Sequence, residues 1–185
     1  MDNKAVLIID MLNDFVTGDL KCARVNHIIP NLKRLVKAAH KRDIPIVYCN
    51  DAHYPEDFEV IEKWGKHAIK GTKGAEVIPE LKPAEKDYIV EKRTYSGFYE
   101  TGLDPLLRSL YRGGGVKTVI LDGLHTHICV RHTNADAFFG GYKIIIAKDG
   151  VEAFTQEDHE QGLKYLGYVY NAKIKTVDEI IKEFG

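Results

Sequence analysis

The 185-residue sequence has no excess of charge of either sign: 26 Lys and Arg stand against 27 Asp and Glu, a net charge of −1. With the signs well mixed, there is no electrostatic footprint for nucleic acid or for an anionic membrane surface. Cysteine is scarce. Cys22, Cys49 and Cys129 are the only three, at irregular spacing, which argues against a disulfide framework and points to a reducing compartment. No Cys-x-x-Cys pair accompanies them, so a thiol redox role has no support. No apolar run approaches the roughly 18 residues of a membrane-spanning helix. The start, Met-Asp-Asn-Lys running straight into an aliphatic stretch, shows no basic segment followed by an apolar signal core, and a cytoplasmic location is expected. Repeats, low-complexity stretches and linkers are absent as well. Residues 1–185 are therefore expected to form one domain, long enough to bury roughly 70% of the surface of the unfolded chain.

What is present alternates between two periodicities. Ala5-Val6-Leu7-Ile8-Ile9 is a continuous aliphatic run ending in Asp10, the pattern of a strand buried on both faces. Asn26 is a plausible N-cap for a helix to about residue 42, in which Ile28, Ile29, Leu32, Leu35, Val36 and Ala39 recur at helical spacing. Further strands are expected over 44–49, 88–92, 116–122, 143–147 and 172–177, and further helices over 103–111, 130–139, 156–166 and 177–184. Such alternation implies an α/β fold: an open parallel sheet of six strands in three layers, with helical crossovers on both faces. Two stretches lie outside it, a loop over 11–22 and a long aperiodic segment over 50–83. Loops of that length in a compact domain are usually functional.

In an open parallel sheet, ligands bind outside the carboxyl ends of the strands, where the strand order reverses. Three reactive side chains fall at such ends. Asp10 closes the first strand, Lys92 closes the third, and Cys129 follows the fourth in Gly123-Leu124-His125-Thr126-His127-Ile128-Cys129-Val130. A strand, a glycine-bearing turn and a helix put Cys129 near a helix N-terminus, whose free N–H groups favour the nucleophilic thiolate. Each residue also has an ordinary reading: a buried structural cysteine, a capping aspartate, a solvated strand-end lysine. Taken together they form a chemical set, a carboxylate to take the thiol proton, a lysine to favour anionic sulfur, and backbone N–H groups to hold an oxyanion.

Asp10-Met11-Leu12-Asn13-Asp14-Phe15, Glu91-Lys92-Arg93-Thr94-Tyr95-Ser96-Gly97-Phe98 and the stretch 123–130 together resemble the isochorismatase-like cysteine hydrolases, a superfamily that includes nicotinamidases, N-carbamoylsarcosine amidohydrolases and ureidoacrylate amidohydrolases. The resemblance implies a sheet order of 3-2-1-4-5-6, Asp10 as general base, Lys92 as its electrostatic partner and Cys129 as nucleophile. It also implies a cis peptide between Leu124 and His125 that aims the N–H groups of His125 and Cys129 into an oxyanion hole, and a homodimer or higher homo-oligomer. Three positions depart from the pattern. Leu12 stands where many members have glutamine, His125 where a small residue is usual, and His127 where Glu, Asp or Asn is common. Phe15, Trp64, Tyr95 and Phe98 suit either an apolar pocket or core packing, and His125 is expected to join the pocket.

Asp51 and His53 share one direction in extended chain and can hold one cation, with His67 as a third candidate ligand. Two imidazoles and a carboxylate suit Zn²⁺ or Fe²⁺, with Mn²⁺ as a further candidate. The resemblance strengthens this reading, since nicotinamidases carry Asp-x-His and a later His in the same stretch, although Ala52 replaces the usual tryptophan and the interval from Asp51 to His67 is short. The other histidines, His27, His40, His132 and His159, fall in or beside helices and read as surface or core-edge residues. The expected activity is thioester-mediated hydrolysis of a C–N bond in a small-molecule amide or ureido compound. An isochorismatase-type vinyl-ether hydrolase and a catalytically silent small-molecule-binding scaffold are the alternatives.

Overall fold

The computed structural model describes residues 3–185. In it, Ala5, Leu7 and Ile9 of strand β1 (Lys4–Ile9) face one core, and Val6 and Ile8 face the other. This is what a continuous aliphatic run does in a strand: its period of two feeds both faces of the sheet. After β1 the chain forms helix α1 (Asn13–Val16), helix α2 (Ile29–Lys41), strand β2 (Ile46–Asp51), strand β3 (Tyr88–Lys92) and helix α3 (Leu103–Ser109). It continues as strand β4 (Thr118–Leu124), helix α4 (Cys129–Phe139), strand β5 (Lys143–Glu152), helix α5 (Gln156–Tyr170), strand β6 (Lys173–Lys175) and helix α6 (Val177–Lys182).

All neighbouring strands pair in parallel, in the order β3-β2-β1-β4-β5-β6. Leu32, Leu35 and Ala39 of α2 and Val177 and Ile180 of α6 cover the Val6 face. Leu103 and Leu107 of α3, Val130 and Ala137 of α4, and Leu166 of α5 cover the Leu7 face. The result is the expected three-layer α/β architecture, with the strand order reversing between β1 and β4, where the strand ends leave a crevice.

Several boundaries differ from the sequence-based expectation. Asn26 does not cap α2; it lies in a 3-10 turn (Val25–His27), and α2 opens after Ile28 with Pro30 in its first turn, where the missing N–H costs nothing. The expected loop over 11–22 contains α1, and the aperiodic segment contains short turns at Val60–Trp64, Lys73–Ala75 and Pro79–Leu81. Elements this short carry too few residues to establish a period. Strand β5 runs to Glu152 through an irregularity of its own: Leu121 pairs with Ile146, and after extra residues in β5 Gly123 pairs with Val151 and Leu124 with Glu152.

At Gly123, β4 lies tight against β1. The glycine's φ is +94°, and a Cβ there would meet the backbone oxygen of Ile9 at 2.0 Å and its nitrogen at 2.8 Å. Neither atom is the end of a flexible side chain. Gly123→Ala is therefore expected to cost more than about 2 kcal/mol of stability, lowering the thermal midpoint by at least about 4 °C. An unchanged midpoint in a thermal melt would contradict this account.

Candidate active site

Parallel register places the ends of β1, β2 and β3 side by side. Asp51 pairs with Lys92, and Ile9, one residue before Asp10, pairs with Cys49 and Gly123. Asp10 itself takes a left-handed turn, φ 53°, which aspartate tolerates better than most residues. Its Oδ1 accepts the Asp51 N–H at 2.7 Å, and its Oδ2 lies 2.8 Å from Lys92 Nζ. Lys92 is 1% exposed and also bonds the Asp51 carboxylate. Cys129 opens α4, and its Sγ lies within 4.8 Å of a carboxylate oxygen on Asp10 and one on Asp51. The strand-end lysine is thus a buried hub between two carboxylates, and the three side chains read from distant parts of the sequence do meet.

Burial dominates the protonation states. It pushes Asp10 up to about 6, with the Asp51 charge adding to the rise and Lys92 opposing it. Burial would also raise Asp51, but Lys92 and His53 overcome it and hold that carboxyl down to about 2. Lys92 shows the converse balance: burial works against its charge, and Asp10 and Asp51 together keep it well above its ordinary value. For Cys129, burial outweighs the attraction of Lys92 and pushes the thiol well above its usual value. This corrects the expectation of a resting thiolate. Desolvation, with two carboxylates nearby, exceeds what a helix N-terminus offers, so the resting group is a thiol that needs a base.

The turn before Cys129 holds further polar groups. The Leu124–His125 peptide is cis. The Thr126 N–H donates to the Glu152 carbonyl at 2.8 Å, and the Ile128 and Val130 N–H groups donate to the His125 carbonyl at 2.9 and 3.2 Å. His125, Phe15, Trp64 and Tyr95 line one small cavity with Cys129. The indole N–H of Trp64 donates to Tyr95 Oη at 3.1 Å across this cavity. Phe98 does not join it. That ring packs against Tyr142, with centroids 5.8 Å apart, and serves the core. Glu59 and Tyr95 separate the small cavity from an open cleft of about 840 Å³ on the β3 side and line both.

Asp51, His53 and His67 also converge, each offering one ligand atom within 4.8 Å of the others. A local stitch brings in the distant histidine: the His53 N–H donates to the Ala68 carbonyl at 3.0 Å and the Lys70 N–H to the His53 carbonyl at 2.8 Å. His67 donates its Nδ1–H to the Gly65 carbonyl at 2.8 Å, leaving the Nε2 lone pair for a ligand role. Burial lowers the pKa of His67, which favours the neutral form a metal requires. Both nitrogens of His53 are buried without a hydrogen bond. They lie 3.6 Å from Asp51 Oδ2 and 3.5 Å from Asp57 Oδ2. An orphaned imidazole among carboxylates fits a cation site, and the donor set suits a divalent metal.

Four contributors were not anticipated. Glu59 Oε1 lies 4.0 Å from His53 Nε2, and burial, then the Asp51 charge, raise its carboxyl to about 7. Asp57 backs His53, Asp14 Oδ2 accepts the Ala68 N–H at 2.8 Å, and Phe154 stacks on His125 with ring centroids 4.1 Å apart. Glu59 and Asp57 sit in the aperiodic segment and Phe154 follows an unexpectedly long strand, so no periodicity marked them.

Residues 4–178 match the profile of the isochorismatase domain. The chain belongs to the isochorismatase family. This isochorismatase-family protein is a hydrolase by that membership, and its solved neighbours share the fold. An isochorismatase-like hydrolase from Alkaliphilus metalliredigens is 40% identical, with 99% of this chain and 100% of that one covered and a TM-score of 0.92. An N-carbamoylsarcosine amidase from Thermoplasma acidophilum is 39% identical, with 95% and 97% covered and a TM-score of 0.87. A pyrazinamidase of Pyrococcus horikoshii, solved in complex with zinc, is 30% identical, with 94% and 99% covered and a TM-score of 0.84. Among the described residues, no helix of this family member is long and apolar enough to cross a membrane.

Proposed function

We propose that this hydrolase opens a C–N bond, other than a peptide bond, in a small uncharged amide or ureido compound through a thioester on Cys129. The observation that carries the reading is the meeting of a buried thiol with Asp10, a base of raised pKa, beside the Lys92 ammonium. Asp10 Oδ2 takes the thiol proton as Sγ bonds to the substrate carbonyl carbon, and the ammonium offsets the negative charge that develops on sulfur. The backbone N–H groups of His125 and Cys129 receive the oxyanion. As the tetrahedral intermediate collapses, the C–N bond breaks and Asp10 returns the proton to the leaving nitrogen. Asp10 then takes a proton from water as the water oxygen attacks the thioester carbonyl carbon, the C–S bond breaks to release the acid, and Asp10 returns its proton to the sulfur, restoring the thiol. A vinyl-ether hydrolase would have no use for a thiol placed against this base.

Asp51, His53 and His67 would hold a divalent metal, Zn²⁺ first, with Fe²⁺ and Mn²⁺ as alternatives. The zinc complex of the pyrazinamidase neighbour supports this. The ion would supply a Lewis-acid position that orients a water or a substrate heteroatom. The test is ammonia release from nicotinamide, pyrazinamide, N-carbamoylsarcosine and ureidoacrylate, with and without a chelator. Release from at least one is expected. A fall of more than about tenfold on chelation, reversed by added Zn²⁺, is expected if the ion orients the reacting groups. No ammonia from any of them, alongside cleavage of isochorismate, would overturn the proposal.

A further inference from the structure

His125 contributes a side chain that the reaction above does not use. Its ring is clamped, stacked on Phe154 at 4.1 Å and edge-on to Phe15 at 5.6 Å with an interplanar angle of 86°. The residue is 3% exposed and lines the cavity that holds Cys129. Its Nε2 is buried and has no hydrogen-bond partner among the described residues. A buried polar group left unpaired is costly, and in a residue that lines the cavity beside Cys129 it is a group that a bound ligand can satisfy. Burial, with His127 adding to it, holds the imidazole down to about 3, and the ring is neutral at physiological pH.

A neutral imidazole keeps one N–H and one lone pair, and so pairs with an amide or ureido group in either sense, but brings no charge to a carboxylate. Nothing else lining this cavity does so: its charged residues are Asp51 and Glu59, with no Lys or Arg among them. Lys92 is committed to Asp10 and Asp51. We infer that His125 Nε2 is a specificity-determining group, reading a second, uncharged hydrogen-bonding group beside the scissile carbonyl, so that the substrates are compact amides carrying such a group. The inference rests on the amidase reading above and narrows its substrate class.

The test uses three near-isosteric amides: malonamide, butyramide and malonamate. The native enzyme is expected to favour malonamide over each of the other two by at least about tenfold in kcat/KM, the scale of one buried hydrogen bond. His125→Phe keeps the stack on Phe154 and removes Nε2, and is expected to bring malonamide and butyramide to near parity. His125→Gln, with a polar end, is expected to recover part of the preference, and thermal melts of both variants report folding. The same three compounds are also tested for protection of Cys129 against iodoacetamide, which reads pocket selectivity without turnover. Selective protection by malonamide, with no ammonia released from it or from any amide or ureido compound of the panel above, would sink the amidase reading and leave the assignment of His125 standing. A native preference for malonamate, equal protection by all three compounds, or an unchanged ratio in His125→Phe would overturn the assignment.

Discussion

Cys129→Ala is expected to yield a folded protein that forms no acyl-enzyme and has lost at least about 10⁴-fold in amide hydrolysis. The thiol lies within 4.8 Å of carboxylate oxygens on Asp10 and Asp51, and alanine offers those groups nothing to deprotonate. The fold should tolerate the change, because one buried sulfur lost at a helix start costs about 1 kcal/mol. Intact-mass analysis after mixing with substrate would show the thioester adduct in the native protein and none in the variant. Activity retained in Cys129→Ala would remove the nucleophile from the mechanism, while a variant that fails to fold would make Cys129 the structural cysteine of the alternative reading.

Lys92→Met tests the hub. The side chain keeps its apolar stem and loses a charge that lies against both Asp10 and Asp51 with no solvent exposure of the ammonium end. Breaking a buried pair in this way costs about 3–5 kcal/mol, since the stranded carboxylates lose their counter-charge. Hydrolysis should fall by roughly 10²–10⁴-fold as well. The pH dependence has a definite sign. Without Lys92, both carboxylates have folded pKa values above those in the native protein, where burial already holds Asp10 at about 6. A carboxyl whose folded pKa is raised contributes stability below its unfolded pKa and loses it as pH rises through the folded value. The variant's deficit should therefore be smaller near pH 5 and grow above about pH 6. Urea denaturation at pH 5 and pH 8 would measure this, and an equal deficit at both would show that Asp10 and Asp51 do not depend on the ammonium.

The same hub shows where sequence reasoning stopped. On its own Lys92 has the ordinary reading of a solvated strand-end lysine, and only its pairing with Asp51 across β2 and β3 makes it a buried charge. His67 could be paired with Asp51 and His53 by residue type, yet its approach depends on the backbone stitch at Ala68. Glu59 had no signal at all, because a single acid in an aperiodic stretch is indistinguishable from a surface residue until the chain folds around it.

The sequence by itself determined the alternation of strands and helices, the two-faced burial of β1, and the set Asp10, Lys92 and Cys129 at strand ends. These are local properties, written in a period of two or of about four residues. Tertiary structure alone decided that Cys129 rests as a thiol, that Asp51 serves both Lys92 and His53, that Phe98 belongs to the core, and that His125, a cavity-lining residue clamped by Phe154, keeps a buried, unpaired Nε2. Protonation and pairing depend on how much water and which charges surround a group. Those surroundings are assembled from segments tens of residues apart, so no local pattern of residues records them.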